Sequence, residues 1–119
     1  MELVGVPPYR ILVYGRTEVL APVPVKDGET ALHLAAQYGR ARIAWLLLNR
    51  GARVDLRDHS GWTPLHWAAA GGYLAVAELL VGRGAAINVR AYLGQTPLAL
   101  ARDKNHAAMV DFLSRHGGR

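Results

Sequence analysis

This sequence predicts a mainly α fold, a solenoid of stacked helix-turn-helix units behind an N-terminal β-hairpin-like segment. Three observations carry the prediction. The stretch GETALHLAAQYG, starting at Gly28, returns 33 residues later as GWTPLHWAAAGG and 33 later again as GQTPLALARDKN. Each copy opens on a threonine, Thr30, Thr63 and Thr96, and each unit closes on a glycine, Gly51, Gly84 and Gly117. Residues 1–26 share none of this pattern and are rich in β-formers instead. A fixed period of roughly 20 to 50 residues marks a chain made of one supersecondary unit stacked on itself.

At the N-terminus, YRILVY (Tyr9 to Tyr14) and TEVLA flank Gly15-Arg16. Two β-prone runs around a two-residue Gly-X step predict a hairpin with a type II′ turn. Pro22 to Val25 then leads extended into the first repeat, since proline disfavours helix in its predecessor. An isolated two-stranded hairpin is marginal, so it needs a surface to lie on. The first repeat has no neighbour on its N-terminal side, and residues 9–21 are expected to cover it with Trp45 partly buried beneath them. The rival is edge-to-edge pairing of this strand with a second chain.

Each repeat reads as two short helices. The three threonines are good N-caps. Pro64 and Pro97 follow at the first helical position, where a missing N–H costs nothing. Leu32, Ala35 and Ala36 define an apolar stripe at i, i+3, i+4. Gly39, Gly72 and Asn105 end the first helix in a left-handed conformation. Ile43, Leu46 and Leu47 form the buried face of the second helix, with Val76, Leu79 and Leu80 in the next copy. Helices of about nine residues are unstable alone and need neighbours. The alanine pairs Ala35–Ala36 and Ala68–Ala69 let consecutive first helices approach closely, so the stack curves and first helices line its concave face.

The T-P-L-H tetrapeptide, the 33-residue spacing and the endings GARVD and GAAIN together make GWTPLHWAAAGGYLAVAELLVGRGAAIN resemble an ankyrin repeat. The resemblance runs from about residue 26 to the C-terminus. It implies two antiparallel helices followed by a projecting loop or β-hairpin, and divides the chain into an N-terminal segment, 1–26, and repeats at 27–59, 60–92 and 93–119. His33 and His66 of the motif are expected to tie the helix start to the adjacent turn. Ala31 replaces proline in the first copy, and Ala99 replaces histidine in the third. The third copy is also polar along its helices (Arg102, Asp103, Lys104, Asn105, Asp111, Ser114, Arg115), as a capping repeat should be. Both features predict that the stack ends there, with Arg119 near a true terminus.

Composition limits the function classes. The chain has 119 residues, 51% hydrophobic, which suits one domain with a buried core. It has no cysteine, so disulfides, thiolate–zinc sites and thiol nucleophiles are excluded. The opening MELVGVPPYR does not read as an export signal, and no window reaches the ~18 apolar residues a membrane span requires. A cytoplasmic protein without membrane contact is the expectation. Net charge is +5, but the basic residues are scattered and only Lys26 and Lys104 are lysine. Nucleic acid is therefore the weaker partner class.

Catalytic chemistry has no motif here. The five histidines form no metal-binding spacing. Asp55, Asp58 and His59 sit in turn columns, where carboxylates bond nearby backbone N–H groups. No catalytic residue, metal or cofactor is expected. Function is expected in the columns where the copies differ. By resemblance, partners meet the turn tips and the exposed first-helix positions. Those columns hold Lys26, Asp27 and Glu29; His59, Ser60 and Trp62; Tyr92, Leu93 and Gln95; then Gln37, Tyr38, Asp103 and Lys104, with Arg57 and Arg90 just before the turns. Aromatic and arginine side chains dominate binding hot spots. Small Ala70 and Gly71 are expected to leave room for a partner side chain, while Trp67, in the column of Leu34 and Leu100, is expected in the core.

The sequence thus predicts a non-catalytic module for an unidentified protein partner, a monomer by default. A homo-oligomeric scaffold built through residues 9–21 and a basic nucleic-acid binder are the alternatives. Deleting residues 1–24 should lower the melting temperature or cause aggregation in a thermal scan with light-scattering detection; an unchanged melt rules out the covering role.

Overall fold

The computed structural model describes residues 9–14, 17–22 and 30–119, the first two segments as backbone alone. Strand β1 (Tyr9–Tyr14) pairs antiparallel with β2 (Thr17–Pro22), Tyr9 opposite Pro22 and Tyr14 opposite Thr17. The expected turn at Gly15-Arg16 and the extended lead from Val25 lie outside the described residues. Six helices follow as three pairs: α1 (Ala31–Gln37) with α2 (Ala41–Asn49), α3 (Pro64–Gly71) with α4 (Leu74–Gly82), and α5 (Pro97–Asp103) with α6 (Ala107–Arg115). The first helices pack in sequence, α1 on α3 on α5, and the second helices form a parallel layer, α2 on α4 on α6. β1 lies against α1. Trp45 on α2 is 48% exposed rather than covered.

The inner layer is thin because its contact residues are small. Ala35, Ala36, Ala68, Ala69 and Ala101 have no exposed surface, and Leu32, Leu65 and Leu98 lie beside them almost as deep. The outer layer adds Ile43, Leu47, Val76, Leu80, Met109 and Leu113. Each such large side chain contributes roughly 1.5–3 kcal/mol through burial. On α2 and α4 the deepest face includes Ala44, Leu48 and Ala77, whereas Leu46 and Leu79 are only partly buried. The alanines lie where the two layers meet, so the helical stripe is turned slightly from the Leu46 and Leu79 side.

The three threonines stand in extended backbone at the helix starts, as N-caps must. The Thr30 hydroxyl accepts from the His33 N–H at 3.3 Å, and that of Thr96 from the Ala99 N–H at 3.2 Å. Asn105 takes φ +60° in the column where the other copies use glycine. The polar residues of the third pair, Arg102 to Asn105, Asp111, Ser114 and Arg115, are all exposed.

A second column joins the repeats. Gly39, at φ +68°, lies against the ring of Tyr73 from the next repeat, and a Cβ there would sit 2.5 Å from the ring. One repeat later, His106 covers Gly72 and donates from Nε2 to the Ala70 carbonyl at 3.0 Å. Tyr73 is also pressed on Gly71, where a Cβ would come within 2.4 Å. The ring therefore cannot retreat without leaving its seat. Gly84, at φ +89°, has open space around it. Gly84→Ala should cost about 1–2 kcal/mol for left-handed backbone alone, and Gly39→Ala a further ~1–3 kcal/mol for overpacking. Urea unfolding of the two variants checks the difference; equal losses would mean the Tyr73 contact does not constrain the junction.

Candidate functional site

The loops that follow the second helices are held by bonds that cross from one repeat to the next. His33 and His66 are completely buried. The Thr63 N–H points at His66 Nδ1 from 3.0 Å, so Nδ1 is the acceptor and Nε2 carries the hydrogen. Nε2 then donates to the carbonyl of Gln95 at 2.9 Å. His33 repeats the arrangement, with the Thr30 N–H at 3.2 Å and the Trp62 carbonyl at 2.9 Å. Ala99 has no such ring, and the Thr96 hydroxyl donates instead to the Arg119 carbonyl at 2.8 Å.

Asp55 and Asn88 do related work. The Asp55 carboxylate accepts from the Ala86 N–H at 3.2 Å, and Asn88 Oδ1 from the Arg119 N–H at 2.9 Å. These bonds reach the following unit rather than the nearby turn expected for Asp55. Asp58 does serve its own turn. Its Oδ1 accepts from the N–H groups of Ser60 and Trp62, both at 2.9 Å, and its Oδ2 from Trp67 Nε1 at 2.9 Å. With three donors on one buried carboxylate, Asp58 is structural.

Over that turn the aromatic side chains gather. Trp62 and Trp67 meet with ring centres 4.6 Å apart at 56°, and Trp62 also stacks on His66 at 6.0 Å. Tyr92 is 66% exposed and Leu93 87%. Arg57 holds its guanidinium 5.6 Å from the centre of the Tyr92 ring and donates to the Arg90 carbonyl. The Tyr92 N–H donates to the Ser60 carbonyl at 3.1 Å and locks the two tips together. Between them is a groove of about 420 Å³, lined by His59, Ser60, Trp62, Trp67, Tyr92, Leu93 and Gln95.

Of the residues expected to bind, Arg57, His59, Trp62, Tyr92 and Gln95 come together here, and Arg90 adjoins them through its backbone. Trp62 is partly buried by its neighbours rather than standing free. Tyr38, Gln37, Asp103 and Lys104 sit at the C-terminal ends of α1 and α5, away from this groove's lining. Tyr38 is 53% exposed, and Asp103 and Lys104 are exposed. Lys26, Asp27 and Glu29 lie outside the described residues. The space expected at Gly71 is filled by Tyr73. Trp67, expected in the core, packs against it but is only partly buried, and its other side forms a wall of the groove. A signal for it existed: tryptophan replaces leucine nine residues after an aspartate found in neither other copy, where the columns hold Val25 and Ala91.

Burial, above all, holds the His66 pKa below its ordinary 6.5. The Gln95 and Val89 carbonyls favour the protonated ring, the Arg57 charge opposes it, and Asp58 favours it slightly. Among the described residues no group of three or more His, Cys, Asp or Glu could hold a metal ion, and no helix is long and apolar enough to cross a membrane. A family model described as ankyrin repeats, three copies, matches residues 10–91. The match includes most of the strand segment and the first two helix pairs and stops short of α5.

The lowered His66 pKa sets a pH dependence. The unfolded chain binds the proton more readily than the folded one, so this contribution is complete above pH 6.5 and lost as pH falls below it. Protonation would also set a hydrogen on Nδ1 against the Thr63 N–H. Urea midpoints should fall between pH 7.5 and 5, and His66→Gln should show a shallower slope. Parallel slopes for the two proteins would remove His66 as the cause.

Proposed function

We propose that this chain, which belongs to the ankyrin-repeat family, captures a protein partner on its loop tips and the adjoining first-helix ends. Ankyrin repeats are in general protein–protein interaction modules and typically non-catalytic. The observation that carries the proposal is the cluster of Trp62, Trp67 and Tyr92 with Arg57 at the junction of the second and third repeats. Tryptophan, tyrosine and arginine combine large contact area with few rotatable bonds, which is why they anchor interfaces. Here the rings are braced by Asp58 and by the His33 and His66 bridges, so little order is lost on binding.

A partner covering about 800 Å² would use most of the face that three units present. The helix-end residues Gln37, Tyr38, Asp103 and Lys104 would then form its rim. Lys26 and Glu29 belong to the same turn column in the first repeat. The partition into units at 27–59, 60–92 and 93–119, each holding one helix pair, is part of this reading, as is a cytoplasmic location, which the cysteine-free sequence suits.

Two substitutions separate binding from folding. Tyr92→Ala removes a mostly exposed ring and should leave the melting temperature nearly unchanged. Trp62→Ala removes a ring that packs on Trp67 and His66 and should cost both stability, about 1–3 kcal/mol, and binding. In affinity capture from cell extract, a partner held by the wild type should be lost or reduced with both variants. Equal recovery by Tyr92→Ala would refute this face.

A further inference from the structure

The groove between the second and third tips deepens the reading above and rests on it: we infer that it is a slot for an acidic peptide segment of another protein, one that seats an aromatic side chain against Trp62 and Trp67. The shape comes first. The two indoles meet at 56° and form a fixed corner, while Tyr92 and Leu93 stand exposed across it. A cavity of about 420 Å³ holds one large side chain and the backbone on either side. Aromatic pairs favour such tilted or edge-to-face contacts.

Charge selects the flanking residues. Arg57 lies over Tyr92 at the mouth, with its own tip held by the Arg90 carbonyl. Among the described residues the carboxylate beside the groove is Asp58, which is buried and already receives three N–H donors. From Thr30 onward the other acidic side chains are Asp55, Glu78, Asp103 and Asp111. Asp55 accepts from the Ala86 N–H, Asp111 pairs with Arg115 at 3.1 Å, and Glu78 and Asp103 belong to α4 and α5. The second and third tips therefore present positive charge on a chain of net charge +5 and attract acidic segments. A cationic or methylated lysine would meet Arg57 at the mouth, and among the described residues the nearest carboxylate, Asp58, is already committed to three N–H donors. A nucleic-acid strand needs a continuing track of cations, whereas the charge placed at this mouth is that of Arg57.

A third feature sets the chemistry of the anchor. Gln95 lines the groove, and its Oε1 is buried without a hydrogen-bond partner. Rotation of that amide offers an acceptor to a donor inside the slot. An indole N–H supplies one and a phenyl ring does not, so tryptophan should be preferred over phenylalanine as the anchor.

The test is selection of a random 12-residue peptide library displayed on phage against the full chain, followed by fluorescence anisotropy with the recovered peptides. Recovered sequences should place an aromatic residue within two positions of Asp or Glu. Arg57→Gln should weaken them about tenfold with a small loss of melting temperature from its bond to the Arg90 carbonyl, and Tyr92→Ala at least as much with a nearly unchanged melt. Gln95→Leu, which keeps the backbone carbonyl used by His66, should erase the preference for Trp over Phe. Basic consensus peptides, peptides indifferent to Tyr92→Ala, or no enrichment would each overturn the slot. So would tight, salt-steep binding of a labelled oligo-dT probe lost with Arg57→Gln. If the slot fails but the wild type still captures a protein that Tyr92→Ala loses, the broader binding proposal stands; no capture by the wild type, or equal recovery by Tyr92→Ala, would remove both.

Discussion

The structure depends on one interaction made twice: a neutral, buried histidine that donates across a repeat boundary to a backbone carbonyl. His33 reaches Trp62 and His66 reaches Gln95, each at 2.9 Å. The ring can donate from Nε2 only because Nδ1 is committed to the threonine N–H at the start of its own helix. Tautomer, helix start and neighbour position are thus specified together. An unpaired polar atom at such depth would cost about 1–3 kcal/mol, so register errors between units are penalised at each histidine.

Stability and the proposed recognition share the same backbone. The two carbonyls held by these histidines belong to Trp62 and Gln95, whose side chains line the candidate groove. The bridge that joins one unit to the next therefore also fixes where its tip side chains stand. Asp58 extends this logic, closing the turn through Ser60 and Trp62 while orienting Trp67. A loop braced on three sides can carry exposed aromatic rings without collapsing onto them.

The junctions are not equivalent. Between the first and second units Tyr73 seats on Gly39, whereas between the second and third His106 covers Gly72 and bonds Ala70. In the third unit alanine replaces the bridging histidine, and the chain itself returns, with the Arg119 backbone meeting Thr96 and Asn88. Polar helix surfaces there stay in water. Variation at a few columns thus makes three distinct members from one repeated unit.

The helix pairs, their caps and their order were legible in the sequence alone. Threonine, proline and glycine impose backbone preferences within a few residues, and the 33-residue period repeats them. Asn105 at positive φ and the small residues of the inner layer follow from the same local rules. The candidate groove was legible only in part. Arg57, His59, Trp62, Tyr92 and Gln95 could be picked from variable columns, yet Trp67 was assigned to the core and Gly71 to open space. Those two placements turn on contacts across helix and repeat boundaries: Trp67 bonding Asp58 at the edge of the core, and Tyr73, at the start of α4, lying on Gly39 and on Gly71 of α3. Side-chain direction at a repeat boundary is set by what the next unit brings, and only tertiary packing supplies that.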